Sequence, residues 1–75
     1  MIVRRLEVNS QLQIISETAD GLHIESPARL RPGQIIEIVW PDAGQVRARR
    51  LCVSTWAIAK LGSEGPTYGG CCRWY

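Results

Sequence analysis

Apolar and polar residues alternate in short runs along most of the 75-residue chain. Because neighbouring side chains of a strand point to opposite faces, this alternation is typical of half-buried β-strands. Gly, Pro, Asn and Asp, which favour turns, separate the runs. The pattern predicts six or seven short strands and no amphipathic helix, with strands at residues 2–8, 11–15, 22–26, 35–40, 45–50, 52–61 and 67–75.

Residues 16–33 contain the clearest turn–strand–turn pattern of the chain. Asp20-Gly21 predicts a turn in which the glycine adopts a positive φ angle, since glycine does so without steric strain. After the alternating strand that follows, Pro32-Gly33 predicts a second turn. The most apolar strand of the chain comes directly after this second turn.

The strand at residues 45–50 alternates between small apolar residues and arginines. Because apolar side chains favour the buried face, Val46 and Ala48 are predicted to face the core. Arg47 and Arg49 are then predicted to face outward, on the solvent side of the same strand.

The length of the chain indicates a single domain over residues 1–75. A domain of this size buries a modest fraction of its surface, so its core needs large side chains, and Trp40 and Trp56 are predicted to supply them. Closure of the sheet would remove the free strand edges that promote aggregation. The sequence therefore predicts an all-β fold, a small six-stranded antiparallel β-barrel.

The charge of the chain is only weakly basic. Nine Lys and Arg against seven Asp and Glu give a net charge of +2, which does not by itself indicate nucleic-acid binding. All the basic residues except one lysine are arginines, whose planar guanidinium groups bind phosphate through paired hydrogen bonds. An alternative interpretation is therefore a small nucleic-acid-binding β-barrel that uses Arg47, Arg49 and aromatic residues.

No group of residues in the sequence indicates catalysis. Ser16, Asp20 and His23 are close enough along the chain to form a Ser–His–carboxylate set, but no nucleophile-elbow sequence surrounds the serine. The three cysteines and the single histidine lack the spacing of a zinc site. We therefore expect no enzymatic activity, no catalytic residues, no bound metal and no cofactor.

The N-terminal segment and the hydropathy of the chain bear on its location. Charged residues follow Met1 within a few positions, without the apolar segment of a secretory signal. No run approaches the roughly 18 apolar residues of a membrane span. We expect a cytoplasmic protein with reduced cysteines and no membrane span.

Three segments of the chain resemble the PilZ domain family. The segment SETADG at residues 16–21 is similar to the family's Asp/Asn-x-Ser-x-x-Gly motif and matches its glycine at Gly21. The loop RPGQ at residues 31–34 and the closing stretch YGGCCRW at residues 68–74 also resemble the family. The resemblance implies a six-stranded bacterial barrel that senses cyclic di-GMP and passes the signal to a partner protein.

The resemblance implies that Arg4, Arg5, Ser16, Thr18 and Gly21 are the positions at which cyclic di-GMP would bind. The family's Arg-x-x-x-Arg segment is absent, and Ser16 offers no carboxylate to a guanine edge. Charge-assisted hydrogen bonds contribute about 1.5–3 kcal/mol each, so their loss should remove most of the affinity. We therefore expect a non-catalytic PilZ-like signalling adaptor with direct cyclic di-GMP binding lost or weak.

The partners that follow from these interpretations differ in class. The adaptor interpretation requires a protein partner, with weak cyclic di-GMP binding as an addition, and the alternative interpretation requires a nucleic acid. A third alternative is a homodimer that associates through the apolar strand at residues 35–40.

Overall fold

The computed structural model describes residues 3–8, 11–42 and 44–75 of the chain, and these residues form an all-β structure without a helix. Ile2, which was included in the first predicted strand, lies outside the described residues. Seven strands follow one another along the chain: β1 Arg4–Glu7, β2 Gln13–Thr18, β3 Gly21–Ser26, β4 Ile35–Asp42, β5 Gln45–Val53, β6 Ala57–Gly62 and β7 Gly65–Trp74.

All seven strands belong to one sheet. Its order is β1-β4-β5-β7-β3-β2, and β6 pairs with β7 outside this path. β1 runs parallel to β4, whereas the other strand pairs are antiparallel. β7 is the longest strand and pairs with three others, so it connects the two halves of the sheet.

The predicted six-stranded antiparallel barrel is wrong in three respects, because the sheet has seven strands, is mixed and does not close. β1 and β2 lie at opposite ends of the strand order, and a single bridge between Val8 and Leu12 joins their flanks. β5 pairs with β7 only from Leu51 to Val53. Alternation reports the face that a side chain takes and not the partner or direction of its strand, so the sequence pattern could not supply these features.

One predicted strand is divided in the structure. The segment at residues 52–61 was predicted as a single strand, but β5 ends at Val53 and β6 begins at Ala57. The three residues between them run beside β7, where the backbone N–H groups of Ser54 and Thr55 both donate to the carbonyl oxygen of Cys71. β7 is the neighbour on both sides of this interruption, because Val53 pairs with Cys72 and Ala57 pairs with Gly69.

The core lies where the side chains of cross-strand partners meet on one face of the sheet. Trp40, Trp56 and Trp74 are half-buried and pack against the margin of this core. Ser26 is the buried polar residue, and its hydroxyl group is hydrogen-bonded. The buried cluster consists of Leu6, Leu12, Leu22, Ile24, Ala28, Leu30, Ile36, Ile38, Leu51, Val53 and Cys72.

The apolar strand β4 lies inside the sheet, between β1 and β5. Ile36 and Ile38 on this strand are fully buried in the core of the chain itself. The strand of the homodimer hypothesis therefore has both edges paired within the chain.

Arg47 and Arg49 are exposed as predicted, but they lie on the opposite face of the sheet from the predicted one. Ile36 pairs with Leu51 and Ile38 with Arg49, and the register between β4 and β5 contains no bulge. Cross-strand partners share a face, so Arg49 lies on the face of the sheet that holds the core. Val46 is 71% exposed on the other face. The buried Leu51 fixes the register, and every second residue before it on β5 shares its face, which leaves Val46 on the opposite one.

Gly21 is required for a reason different from the predicted one. Among the described residues the glycines with positive φ are Gly33, Gly44 and Gly65, and Gly21 is not among them. A Cβ atom on Gly21 would overlap the carbonyl oxygen of Cys72 on the neighbouring strand β7. The glycine therefore permits a close approach of two backbones.

Candidate functional site

The structure divides the five predicted ligand positions into two groups. Arg4 and Arg5 lie on β1, whereas Ser16, Thr18 and Gly21 lie on the β2–β3 hairpin. β1 and β2 are at opposite ends of the strand order. None of the four cavities that we describe among residues 3–8, 11–42 and 44–75 is lined by members of both groups.

The hydroxyl group of Thr18 is used within the β2–β3 hairpin. It accepts a hydrogen bond from the Gly21 backbone N–H at 3.2 Å and is placed to donate to the Gly21 carbonyl oxygen at 3.3 Å. Ser16 is exposed and lies opposite His23 across the hairpin, and no side-chain hydrogen bond joins these two in the described part of the chain. The motif segment therefore acts here as a hairpin closure.

Arg5 is engaged at the far edge of the sheet. Its Nε atom lies 2.9 Å from Oε1 of Glu37, and Nε of Arg50 lies 3.6 Å from Oε2 of the same carboxylate. Both arginine side chains are largely exposed, so these ion pairs contribute little to stability. They do hold Arg5 against β4, away from the β2–β3 hairpin.

A cleft of about 370 Å³ lies between the free part of β5 and the β2–β3 hairpin. We call it the Arg49 cleft. The guanidinium carbon of Arg49 lies 3.8 Å from the centre of the Trp74 ring, which is the geometry of a cation–π contact. The cleft is lined by Ile14, Glu17, Leu22, Trp40, Arg47, Arg49 and Trp74.

The incomplete closure of the sheet produces the Arg49 cleft. The first residues of β5 pair with β4 but, in the described part of the chain, not with β7. Trp40 and Arg47 are cross-strand partners in this projecting hairpin. Among the described residues that line the cleft there are two guanidinium groups, two indoles and one carboxylate, that of Glu17.

A second cleft, of about 480 Å³, lies beside the loop that connects β3 to β4. We call it the Arg29 cleft. The sequence patterns did not single out this site, although the alternation Ala-Arg-Leu-Arg at residues 28–31 was visible and would have placed its two arginines on one exposed face. It is lined by Arg29, Leu30, Arg31, Trp56, Ala57, Ile58 and Tyr68.

The cysteines and carboxylates do not assemble into a metal site. Among the described residues there is no group of three or more His, Cys, Asp and Glu side chains that could hold a metal ion. Cys52, Cys71 and Cys72 are free thiols, and the two adjacent cysteines point to opposite faces, with Cys71 exposed and Cys72 buried. Burial raises the pKa of Cys72 from 9.0 to about 11, with smaller contributions from Cys71 and Cys52.

In the part that the structure describes, no helix has the length and apolar character needed to cross a membrane. No protein-family model, curated protein or solved structure matches the chain significantly.

Proposed function

We propose that the chain is a non-catalytic PilZ-like adaptor domain of bacterial cyclic di-GMP signalling, cytoplasmic, with direct cyclic di-GMP binding lost or weak. The all-β fold supports a domain of this general kind. The resemblance in residues 16–34 supports the family, because these residues form two strands and two turns in the expected sequence.

One observation supports the loss of cyclic di-GMP binding most directly. The Thr18 hydroxyl is hydrogen-bonded to Gly21, and the Arg5 guanidinium is paired with Glu37 at the opposite end of the strand order. A ligand that needs both groups would have to break these contacts and reach two strands that are not paired with each other. The remaining role for such a domain is contact with a protein partner.

Isothermal titration with cyclic di-GMP tests the ligand part of this proposal. We expect no binding tighter than about 100 µM, since the charge-assisted contacts of the family are absent. The double variant R4Q/R5Q shows whether any binding that is observed depends on Arg4 and Arg5. Micromolar binding to the wild type that disappears in this variant would overturn the proposal.

The adaptor role requires its own experiment. Affinity purification from a bacterial lysate, followed by mass spectrometry, should recover one partner in stoichiometric amount with the wild-type chain. Reconstitution of that complex from two purified proteins should then give a single species by size-exclusion chromatography. Failure to recover any stoichiometric partner would contradict an adaptor role.

A second candidate function is the binding of single-stranded nucleic acid in the Arg49 cleft. The stacking of Arg49 on Trp74, with Trp40 and Arg47 beside them, favours it. Small β domains hold single strands by stacking bases on aromatic rings while basic residues follow the phosphates. A chain with net charge +2 would gain most of its affinity from these local charges.

Fluorescence anisotropy with a labelled oligonucleotide of about 12 nucleotides tests this candidate. Binding should appear at about 50 mM salt and weaken steeply as salt is raised. The variant R47Q/R49Q should bind at least about tenfold more weakly, whereas R4Q/R5Q, which loses the same charge elsewhere, should keep most of the affinity. Equal losses in the two variants would contradict a specific cleft.

A further inference from the structure

The loop between β3 and β4 presents two arginines from a fixed backbone. Ala28 and Leu30 are buried in the core, while Arg29 and Arg31 alternate with them and are exposed. The strand-like alternation therefore continues beyond the end of β3. It places both guanidinium groups on the side of the loop that borders the Arg29 cleft.

Hydrogen bonds at both ends hold this loop in place. At its start, the Ser26 hydroxyl donates to the Gln11 carbonyl oxygen at 2.6 Å and accepts from the Ala28 N–H at 3.1 Å. At its end, the Gly33 N–H donates to the carbonyl oxygen of Val53 at 2.7 Å. Little conformational entropy of the backbone would be lost when a ligand binds to such a loop.

The facing wall of the cleft is aromatic and is also held by hydrogen bonds. Trp56 Nε1 donates to the Ala28 carbonyl oxygen at 3.1 Å, which fixes the indole against the loop. Arg29 Nε donates to the Tyr68 hydroxyl oxygen at 3.0 Å. Since Tyr68 accepts this bond, its own O–H remains able to donate, and the two terminal nitrogens of Arg29 remain available as well.

The Arg29 cleft is positively charged, and no described carboxylate neutralises its two arginines. No carboxylate of the described residues lines it, and neither Arg29 nor Arg31 is ion-paired with a described acidic side chain. The Arg49 cleft differs, because Glu17 lines it and partly offsets the charge of its two arginines. Of the two clefts, the Arg29 cleft is therefore the better match for a small dianion.

We propose that the Arg29 cleft binds a nucleoside 5′-monophosphate. A phosphomonoester carries about −1.5 to −2 charges at neutral pH, which two guanidinium groups neutralise. Arg29, Arg31 and the Tyr68 hydroxyl bind the phosphate, and the base lies along Trp56 and the 58% exposed Ile58. A cavity of about 480 Å³ is within the usual range for small-molecule sites.

This proposal uses none of the residues on which the two functions above depend. The cyclic di-GMP experiment concerns Arg4 and Arg5, and the oligonucleotide experiment concerns Arg47 and Arg49. Failure of either experiment therefore leaves the Arg29 cleft to be decided by its own ligand titrations.

Isothermal titration with AMP and GMP, and separately with guanosine and inorganic phosphate, tests the proposed chemistry. We expect at least one nucleotide to bind with a Kd below about 1 mM, and both guanosine and phosphate to bind at least tenfold more weakly. Phosphate that binds as tightly as the nucleotides would overturn the role of the aromatic wall. Absence of nucleotide binding at millimolar concentration would overturn the proposal.

Variants of the cleft assign the binding to these residues. R29Q and R31Q should each lower nucleotide affinity at least tenfold, and Y68F should lower it by a smaller factor because only the hydroxyl is lost. R73Q, at an exposed arginine that lines neither cleft, is the control and should bind as the wild type does. Unchanged affinity in R29Q and R31Q would overturn the site.

Nuclear magnetic resonance of the wild-type chain gives a second measurement that needs no variant. Titration with the tighter nucleotide should shift the indole N–H signal of Trp56 and the Nε–H signal of Arg29. The indole signals of Trp40 and Trp74 should stay in place. Shifts confined to those two indoles would locate the nucleotide in the Arg49 cleft and overturn the proposal.

Discussion

The guanidinium group of Arg49 on β5 lies over the ring of Trp74 on β7, with 3.8 Å between the Arg49 Cζ atom and the ring centre. Trp74 pairs in register with Leu51, so Arg49 reaches it diagonally from two residues earlier on β5. This contact connects the free part of β5 to the end of β7, next to the backbone hydrogen bond from the Tyr75 N–H to the Arg50 carbonyl oxygen. It is therefore expected to stabilise the projecting β4–β5 hairpin.

Removal of the Arg49–Trp74 contact should destabilise the chain modestly. Cation–π contacts at exposed positions contribute about 0.5–1 kcal/mol, and we expect a coupling energy in this range between the two residues. A double-mutant cycle of R49Q and W74L, measured by urea unfolding, isolates this energy. In the control cycle, R73Q replaces R49Q, since Arg73 is exposed and adjacent in sequence to the ring. A coupling near zero in the first cycle would contradict the contact.

Gly21 and Gly70 should tolerate no side chain. A Cβ atom would overlap the Cys72 carbonyl oxygen at Gly21 and the Thr55 carbonyl oxygen at Gly70, and both obstacles are backbone. G21A and G70A should each lose about 3 kcal/mol or more of unfolding free energy, which is a large part of the stability of a domain of this size.

The matched control for the two glycine variants is G62A. A Cβ atom there would lie 3.5 Å from the Gly65 carbonyl oxygen, an ordinary contact. Its change in unfolding free energy should stay within about 1 kcal/mol by thermal or urea unfolding. Equal stability of G21A and G62A would mean that the backbones of β3 and β7 are further apart than described.

Gly21 and Arg49 illustrate what the sequence pattern could and could not predict. The alternation identified most of the strands, because it records burial on one face. It placed the arginines of β5 on the wrong face, since Val46 is more apolar than Arg47 although Leu51 determines the register. It identified Gly21 as necessary but assigned a positive φ, because a close approach to β7 depends on a strand distant in sequence.

The candidate sites were still harder to predict from sequence. The Arg29 cleft joins a loop residue to Tyr68 on β7, and their proximity follows from the pairing of β3 with β7. Arg5 and Thr18 lie on strands that do not pair with each other, since β1 pairs with β4 and β2 pairs with β3. Both relationships depend on strand order, about which local propensity and alternation contain no information.

Ser26 should contribute to stability through two hydrogen bonds of its buried hydroxyl group. It is 1% exposed, and its hydroxyl serves both the Gln11 carbonyl oxygen and the Ala28 N–H. S26A leaves two polar backbone groups without this partner, which should cost about 1–3 kcal/mol of unfolding free energy. S54A, at an exposed serine, is the control and should change stability by no more than about 0.5 kcal/mol. Urea unfolding of both variants checks the difference, and a loss in S26A no larger than in S54A would contradict it.

Cys72 should make the stability of the chain fall with rising pH in the alkaline range. Burial raises the pKa of this thiol from 9.0 to about 11 in the folded state. Below both values the thiol is protonated in the folded and unfolded chains, and its ionisation does not affect folding. Between them the unfolded chain loses the proton and the folded chain keeps it, so the unfolding free energy decreases as pH rises through this window.

The comparison of wild type with C72A isolates this effect, because all the other ionisable groups are the same in both proteins. Urea unfolding under reducing conditions, from about pH 8 to about pH 10.5, should show the stability advantage of the wild type shrinking as pH rises. C71A is the control at the exposed neighbour, and it should keep the alkaline decrease because the burial of Cys72 is its main cause. A difference between wild type and C72A that stays constant over this range would show that the Cys72 thiol ionises as readily in the folded chain as in the unfolded one.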